Sequence, residues 1–410
     1  MLSKLRVQHY KSLFDTEVDL EPLTVFIGPN GSGKSNICEA LAVLSDFLKN
    51  LINNTTGSSD ILSSFSSSLK PISNNKTSIK SKFWHGKLDY FLFEISTLSK
   101  IDNSSTIEPK ISSKLFIYLD YHKQAMSISG HSSNNEDRSI DSKHISDLRK
   151  FLIDNQYLNS PIDNALREIS IYDFSPINLS NNTPSNAMER SGQGIAYALV
   201  DILHSNRESF DELENRFKQL VPNVKRILLP RNNSQSSDDI DEALLLSRQV
   251  TKIASRMLSK GNSQTTFSLE LVDKYSDHHI PASDISDGTL RILAFLTALY
   301  QENTPSIICF EELENGVHPW LLGKMMELLK IVSTEGITGK PVQVLITTHS
   351  PLLLNYVEPH QVRAVELDEE GKTQVHSLPT DSVRFQKALE AYDGSLGELW
   401  FTNIFGGNPK

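Results

Sequence analysis

Apolar and polar residues alternate from Leu5 to Tyr10 and from Thr16 to Leu20, which predicts two short strands with one buried face each. Leu23 to Ile27 (L-T-V-F-I) breaks that alternation. A continuous apolar run of this length is the mark of a strand buried on both faces. A glycine-rich turn follows, and then Ile37, Leu41, Leu44, Leu48 and Leu51 recur at helical spacing. Leu88 to Ser96 and Lys114 to Tyr121 alternate like antiparallel strands. Ile145 to Asn155, Gly192 to Ser205, Phe210 to Leu220 and Ile240 to Leu258 read as helices. Beyond about residue 265, Ile307 to Phe310 and Val342 to Thr347 are apolar strands with polar residues directly after them, and Leu321 to Val332 is the helix between. Strand–helix–strand order predicts a parallel sheet, whose ligands gather at the carboxyl ends of its strands.

Polar stretches punctuate this pattern. Asn53 to about Lys82 is rich in Ser, Asn and Thr and reads as a long surface loop, and Ser127 to Asp141 looks similar. Asp368, Glu369, Glu370 and Gly371 read as a hairpin turn between Val362 to Leu367 and Thr373 to His376. About 250 residues separate Ser35 from Ser286, yet no sustained heptad fills the gap, so no long coiled-coil arm is expected. The C-terminal segments Leu396 to Phe401 and Ile404 to Gly407 are apolar for a tail. They dock on the chain's own body or bind a partner.

Composition changes this picture little. The formal charge of −10 argues against a surface that coats nucleic acid throughout. The two cysteines, Cys38 and Cys309, sit in apolar runs and read as core thiols of a reducing compartment. The N-terminus lacks a secretory h-region, and the longest apolar run, Ile292 to Tyr300, is too short to cross a bilayer. A cytoplasmic protein is expected, with no membrane partner.

Four motifs carry chemistry. Gly28-Pro29-Asn30-Gly31-Ser32-Gly33-Lys34-Ser35 is a full P-loop pattern, set between an apolar strand and an amphipathic helix. In such a loop the glycines turn backbone N–H groups inward around phosphate oxygens, Lys34 reaches the β- and γ-phosphates, and the Ser35 hydroxyl ligates Mg²⁺. Ile307 to Glu312 is an apolar strand ending in two acids: Glu311 would hold the Mg²⁺ shell through water, and Glu312 would orient and deprotonate an attacking water. Ser286-Asp287-Gly288-Thr289 opens the apolar helix from Ile292 to Leu299. Ser286 is a natural N-cap, and a capped start with a glycine also offers N–H groups to a phosphate. Thr347-Thr348-His349-Ser350-Pro351 follows the last apolar strand, placing His349 at its carboxyl end.

Taken together, these motifs resemble the RecF/OLD/SMC branch of ABC ATPases, and most closely the stand-alone bacterial ATPases related to the OLD ATPase domain. The resemblance is carried by L-R-V-Q-H-Y-K-S (Leu5 to Ser12), the P-loop with Asn36 after it, I-S-D-G-T-L-R, E-E-L-E-N-G-V-H-P and T-T-H-S-P, in that order. It implies an α/β fold: an ABC-type P-loop NTPase head, mainly parallel sheet plus an antiparallel β subdomain, with a helical insertion lobe. The expected division is 1–135 for the N-terminal half of the head and 136–264 for a mostly helical insertion. Residues 265–380 would form the C-terminal half, and 381–410 a tail. The resemblance further implies hydrolysis of ATP with Mg²⁺, with catalytic roles for Lys34, Glu312 and His349. Nucleotide contacts would come from Gly28 to Asn36 and, from another subunit, from Ser286, Asp287 and Gly288. Glu314 to Pro319 occupies the place of the D-loop. Two copies or a higher homo-oligomer would then share each ATP. Glu311 stands where many members have Asp. Some OLD relatives carry a Toprim nuclease domain, which needs a Glu and an Asp-x-Asp pair. No such cluster follows His349, so nuclease activity is expected from a separate protein.

Two acid-free basic stretches suit a nucleic-acid backbone: Lys70, Lys76, Lys80, Lys82 and Lys87, with Phe83 and Trp84 among them, and Arg216, Lys218, Lys225, Arg226 and Arg231. A solvated face is the plainer reading of each, given the acidic whole. Three functions compete. The chain is an ATP-gated holder of a separate effector, a nuclease or toxin, in bacterial anti-phage defence; or a RecF-like DNA-binding ATPase of DNA repair; or the motor of a transporter. The last is disfavoured by the E-E-L-E-N-G-V-H-P segment and the long insertion.

Overall fold

The computed structural model describes residues 1–53, 90–98, 111–120, 125–132, 135–142, 145–154, 161–166, 168–181, 184–185, 187–232, 266–337 and 339–405. Along the chain come β1 (Leu2–Tyr10), β2 (Leu13–Asp19), β3 (Leu23–Ile27), α1 (Lys34–Asn53), β4 (Tyr90–Leu98), β5 (Ile111–Asp120), β6 (Ala125–Ser132) and β7 (Asn135–Ser142). Next are α2 (Ile145–Asp154), α3 (Pro161–Leu166), β8 (Ile169–Tyr172), α4 (Pro176–Ser180), α5 (Ile195–Ser205), α6 (Arg207–Leu220), β9 (Val224–Leu228) and β10 (Arg231–Asn232). There follow β11 (Thr266–Phe267), β12 (Glu270–Asp273), β13 (His279–Pro281), α7 (Asp287–Tyr300), β14 (Ile307–Glu311), α8 (Pro319–Thr334) and β15 (Gln343–Thr348). Last are α9 (Pro351–Leu354), β16 (Val362–Leu367), β17 (Thr373–Ser377), α10 (Val383–Ala391) and α11 (Leu396–Phe401). The chain divides into two compact units, Met1–Asp173 with Asn303–Lys410, and Phe174–Glu302.

The first unit holds two sheets. Its central sheet runs β17-β16-β3-β15-β14-β8, with β16, β3, β15, β14 and β8 parallel and β17 returning antiparallel at one edge. Strands β3 and β15 are buried along their whole length, which is why both read as unbroken apolar runs rather than alternations. The second sheet, β2-β1-β4-β5-β6-β7, is antiparallel throughout. Its one buried face explains the alternation in β1 and β2. The stretch from Ser127 to Asp141, expected as a loop, is instead most of the β6–β7 hairpin. Ile128 is buried and sits opposite Ile140, while Ser127 and Ser129 beside it are half-buried, so one-sided burial makes the hairpin read as polar. The hairpin turn between β16 and β17 is where the pattern placed it, with Gly371 donating to the Asp368 carbonyl.

The second unit interleaves strands with helices. Strands β13, β12 and β9 form a small sheet, and α7 packs against α4, α5 and α6. Helix α7 is buried from Ile292 through Tyr300 without a break, so it carries no polar stripe. The expected helix from Ile240 to Leu258 and the loop from Asn53 to Lys82 lie outside the described residues, apart from Asn53 itself, the last residue of α1.

The tail docks on the first unit. Leu396, Leu399 and Trp400 are buried, and α11 packs on α9. The Gly397 N–H donates to Asn355 Oδ1 at 2.8 Å. Of the two readings open for this apolar segment, docking on its own body is the one that holds for Leu396, Leu399 and Trp400, while Phe401 stays exposed.

One buried amide ties the two sheets together. Gln343, fully buried at the start of β15, donates through Nε2 to the carbonyls of Leu2 (2.7 Å) and Glu21 (3.0 Å). It also accepts from the Leu2 N–H at 2.8 Å. Gln343→Leu keeps the volume but strands these groups in an apolar setting, and is expected to cost about 2–4 kcal/mol. A urea titration reads this as a lower midpoint for the first unit. An unchanged midpoint would show that the amide does not hold the sheets together.

Candidate functional site

Strand register assembles the site. Glu311 pairs with Thr347, Thr347 with Phe26 and Thr348 with Ile27. The carboxyl ends of β14, β15 and β3 therefore finish side by side. Each is followed by one of the motifs: the acidic pair, Thr348-His349-Ser350, and the glycine loop.

The glycine loop leaves β3 under tight constraint. A Cβ on Gly28 would lie 1.9 Å from the Val365 carbonyl oxygen of neighbouring β16, so no larger residue fits. Lys34 opens α1 and folds back into the loop, where its ammonium donates to the carbonyls of Gly28 and Pro29, each at 2.9 Å. It is 5% exposed. Burial pushes its pKa down to about 8, while the carboxylates of Glu312 and Glu314 pull the other way. An anion placed in the loop would relieve that cost, as a phosphate site requires.

His349 joins the same carbonyl. Its Nδ1 lies 2.8 Å from Gly28 O, and a carbonyl can only accept, so Nδ1 carries the hydrogen. The 3.4 Å approach of Lys34 Nζ to that nitrogen is then two donors sharing one acceptor, not a bond between them. The opposite ring nitrogen, Nε2, faces Glu312 Oε1 at 3.3 Å and forms an ion pair with it when the ring is protonated.

Glu312 is held in an unusual backbone. Its φ of 48° lies in the left-handed region, costly for a residue with a Cβ. The strain is sustained by its N–H, which donates to the Thr347 carbonyl at 2.9 Å and carries the strand pairing one residue further. Asn315 Nδ2 donates to Glu312 Oε2 at 2.5 Å. The side chain stays open to solvent.

Sequence reasoning missed one organiser here. Glu314 Oε1 accepts from the N–H groups of His349 (2.8 Å) and Ser350 (3.2 Å), fixing the turn that carries His349. Its place two residues after the acidic pair was the available signal.

The structure thus brings Gly28, Pro29, Lys34, Glu312 and His349 together. Ser32 and Gly33 are buried in the loop, Asn30 and Gly31 are exposed, and Ser35 and Asn36 are half-buried on the first turn of α1. Glu311 ends β14. Ser286, Asp287 and Gly288 belong to the second unit. There Ser286 caps α7, accepting from the Thr289 N–H, and Ser286 and Asp287 are exposed. In the same unit most of the second basic stretch is paired: Arg216 with Glu212, Lys218 with Glu214 and Lys225 with Asp277. The first basic stretch lies outside the described residues.

Comparison with known proteins gives the same picture. Residues 23–355 match the family described as "AAA domain, putative AbiEii toxin, Type IV TA system". The DNA replication and repair protein RecF of Corynebacterium jeikeium (strain K411) is 42% identical over 53 residues, which is 13% of this chain and only 12% of that protein. An SMC head solved in complex with the C-terminal winged-helix domain of ScpA superposes with a TM-score of 0.52 at 13% identity, covering 93% of this chain and 99% of that one. The likeness to the SMC head is one of fold. With the family match spanning most of the chain and the three strand-end motifs side by side, the chain belongs to this AAA-domain family, and its head has the fold of an SMC-type ABC ATPase head.

Proposed function

We propose that this protein binds and hydrolyses ATP at the Gly28–Asn36 loop, and that ATP joins two or more copies to gate a separate effector, a nuclease or toxin, in anti-phage defence. The convergence of Lys34, His349 and Glu312 at one sheet edge supports the ATPase reading. The buried ammonium suits the β- and γ-phosphates, and Glu312 suits the orientation and deprotonation of water. Among the described residues no cluster of three or more His, Cys, Asp or Glu could hold a metal alone. Mg²⁺ would instead rest on phosphate oxygens with Ser35 and, through water, Glu311, as this hard and strongly hydrated ion prefers.

Sharing of ATP between copies rests on the capped helix start at Ser286–Gly288, exposed at Ser286 and Asp287. That start offers N–H groups and dipole to the γ-phosphate held by another subunit's loop. The effector reading is supported by the family's description and by the internal pairing of Arg216, Lys218 and Lys225, which leaves fewer free cations for a DNA backbone. The RecF segment favours the second reading, a DNA-binding repair ATPase.

Glu312→Gln is expected to bind ATP, lose hydrolysis by at least about a hundredfold and accumulate as an ATP-dependent dimer or larger oligomer in sedimentation. Lys34→Ala should neither hydrolyse nor assemble. Normal turnover in Glu312→Gln would remove it as the base. Purified with its neighbouring gene products in ATP and Mg²⁺, Glu312→Gln should retain a stoichiometric protein that leaves when Lys34 is also replaced. Nucleic acid alone, released by salt, would favour the repair reading.

A second expectation concerns protons. Above about pH 8, much of the Lys34 population in the free protein is neutral, and an arriving phosphate favours the ammonium. Binding at pH 8.5 should therefore take up as much as about one proton, and affinity should fall as pH rises further. Titration calorimetry in buffers of different ionisation enthalpy measures this uptake. It should be absent in Lys34→Arg, whose guanidinium stays charged, and equal uptake there would assign the proton to another group.

A further inference from the structure

A hydroxyl far along the chain holds the phosphate loop in shape. Thr373, the first residue of β17, is 1% exposed, and every polar atom it has is engaged. Its N–H donates to the Ser12 carbonyl at 2.9 Å. Its carbonyl accepts from Thr16 Oγ1 at 3.1 Å. Its own Oγ1 lies 2.9 Å from the Ser32 carbonyl oxygen and 2.7 Å from Ser12 Oγ. Asn36 Nδ2 in turn lies 2.7 Å from Ser12 Oγ.

Counting hydrogens fixes the direction of this chain. A hydroxyl has one hydrogen to give, and the Ser32 carbonyl can only accept, so the Thr373 hydrogen goes there. The contact between the two hydroxyls must then be Ser12 donating to Thr373, and Ser12 accepts from the Asn36 amide. The bonds run one way, from Asn36 to Ser12 to Thr373 to the Ser32 carbonyl, and each donor in a row polarises the next.

The end of that row matters most. The peptide joining Ser32 to Gly33 is planar and trans, so its C=O and N–H point to opposite sides. Pinning the Ser32 carbonyl toward Thr373 aims the Gly33 N–H away from it, toward the side where the loop would cradle phosphate. Gly33 has φ of 101°, and a Cβ there would fall 2.1 Å from Thr373 Oγ1 and 2.7 Å from Ser12 Oγ. The two hydroxyls occupy the space that the missing side chain leaves.

We propose that Thr373, with Ser12 behind it, is a positioning residue of the nucleotide site: it orients the Ser32–Gly33 peptide so that the Gly33 N–H meets phosphate. This rests on the assignment of Gly28–Asn36 as the nucleotide loop. Thr373 touches no phosphate and acts only through the backbone.

The test is nucleotide affinity in three variants of the full chain. Thr373→Val keeps the shape and the backbone bonds but removes the hydroxyl. It should raise the dissociation constants for ATP and ADP, and the KM for ATP, roughly tenfold, the scale of one hydrogen bond. Thr373→Ser should restore affinity to within about twofold, since it supplies the same donor. A loss of packing would not be repaired by a smaller side chain. Ser12→Ala leaves the last bond intact and should weaken binding less, by about two- to threefold, and it decides the matter should Thr373→Val fail to fold. Wild-type affinity in Thr373→Val, or no rescue by Thr373→Ser, overturns the proposal, as does wild-type affinity in Ser12→Ala where that variant must decide. If the unmodified protein binds neither ATP nor ADP, the loop assignment falls and the proposal falls with it. If the unmodified protein binds both, Lys34→Ala binds neither and Thr373→Val binds normally, the proposal alone fails.

Discussion

One carbonyl organises the site. Gly28 O accepts from the Lys34 ammonium and from His349 Nδ1, the former reaching back from α1 and the latter arriving from the end of β15. That convergence is available only because β3 passes its neighbour with no room for a side chain, the Val365 oxygen standing where a Cβ would be. The sheet order places β16 on one side of β3 and β15 on the other, so the same residue is squeezed from one neighbour and bonded from the other. Replace the glycine and the loop must move away from β16, taking its carbonyl out of reach of two donors.

The charges follow from that geometry. Lys34 is dry enough for burial to dominate, and the two nearby carboxylates offset the cost only in part, leaving the ammonium below its ordinary range. Its present partners are neutral carbonyls. Glu312 meanwhile is half-open and held in a left-handed turn, with Asn315 on one oxygen and the imidazole on the other. A dry cation and a wet, strained carboxylate at one sheet edge are different tools. The first suits a fixed anion and the second suits a mobile water.

Much of this was legible from residues close together in the chain. The glycine loop, the acidic pair and His349 are short patterns at strand ends, and β3, β14 and β15 are apolar runs that only a doubly covered strand explains. What escaped was set by burial on one side or by distance. The β6–β7 hairpin reads as a loop because its buried Ile128 sits between half-buried serines. Glu314 was visible as part of a motif, but its bonds to the His349 and Ser350 N–H groups cross 35 and 36 positions. Thr373 meets Ser32 across 341 positions, and nothing in T-Q-V-H-S distinguishes it from an ordinary edge strand. Hydroxyl contacts of that range come from sheet order, which local periodicity does not encode.

Sheet order also decides where the head ends. The family match stops at residue 355, yet β16 and β17 come later and belong to the central sheet beside β3. Val365 on β16 shapes Gly28, and Thr373 on β17 holds Ser32, so two contacts that define the loop come from beyond the matched segment. The tail extends this further, since α11 buries Leu396, Leu399 and Trp400 and hydrogen-bonds Asn355 just past α9, the short helix that follows His349. A substitution or cut after residue 355 therefore acts on the two strand ends that carry the glycine loop and the histidine. The segments after the match are part of the head's mechanics, and the loop's geometry depends on them as directly as on its own glycines.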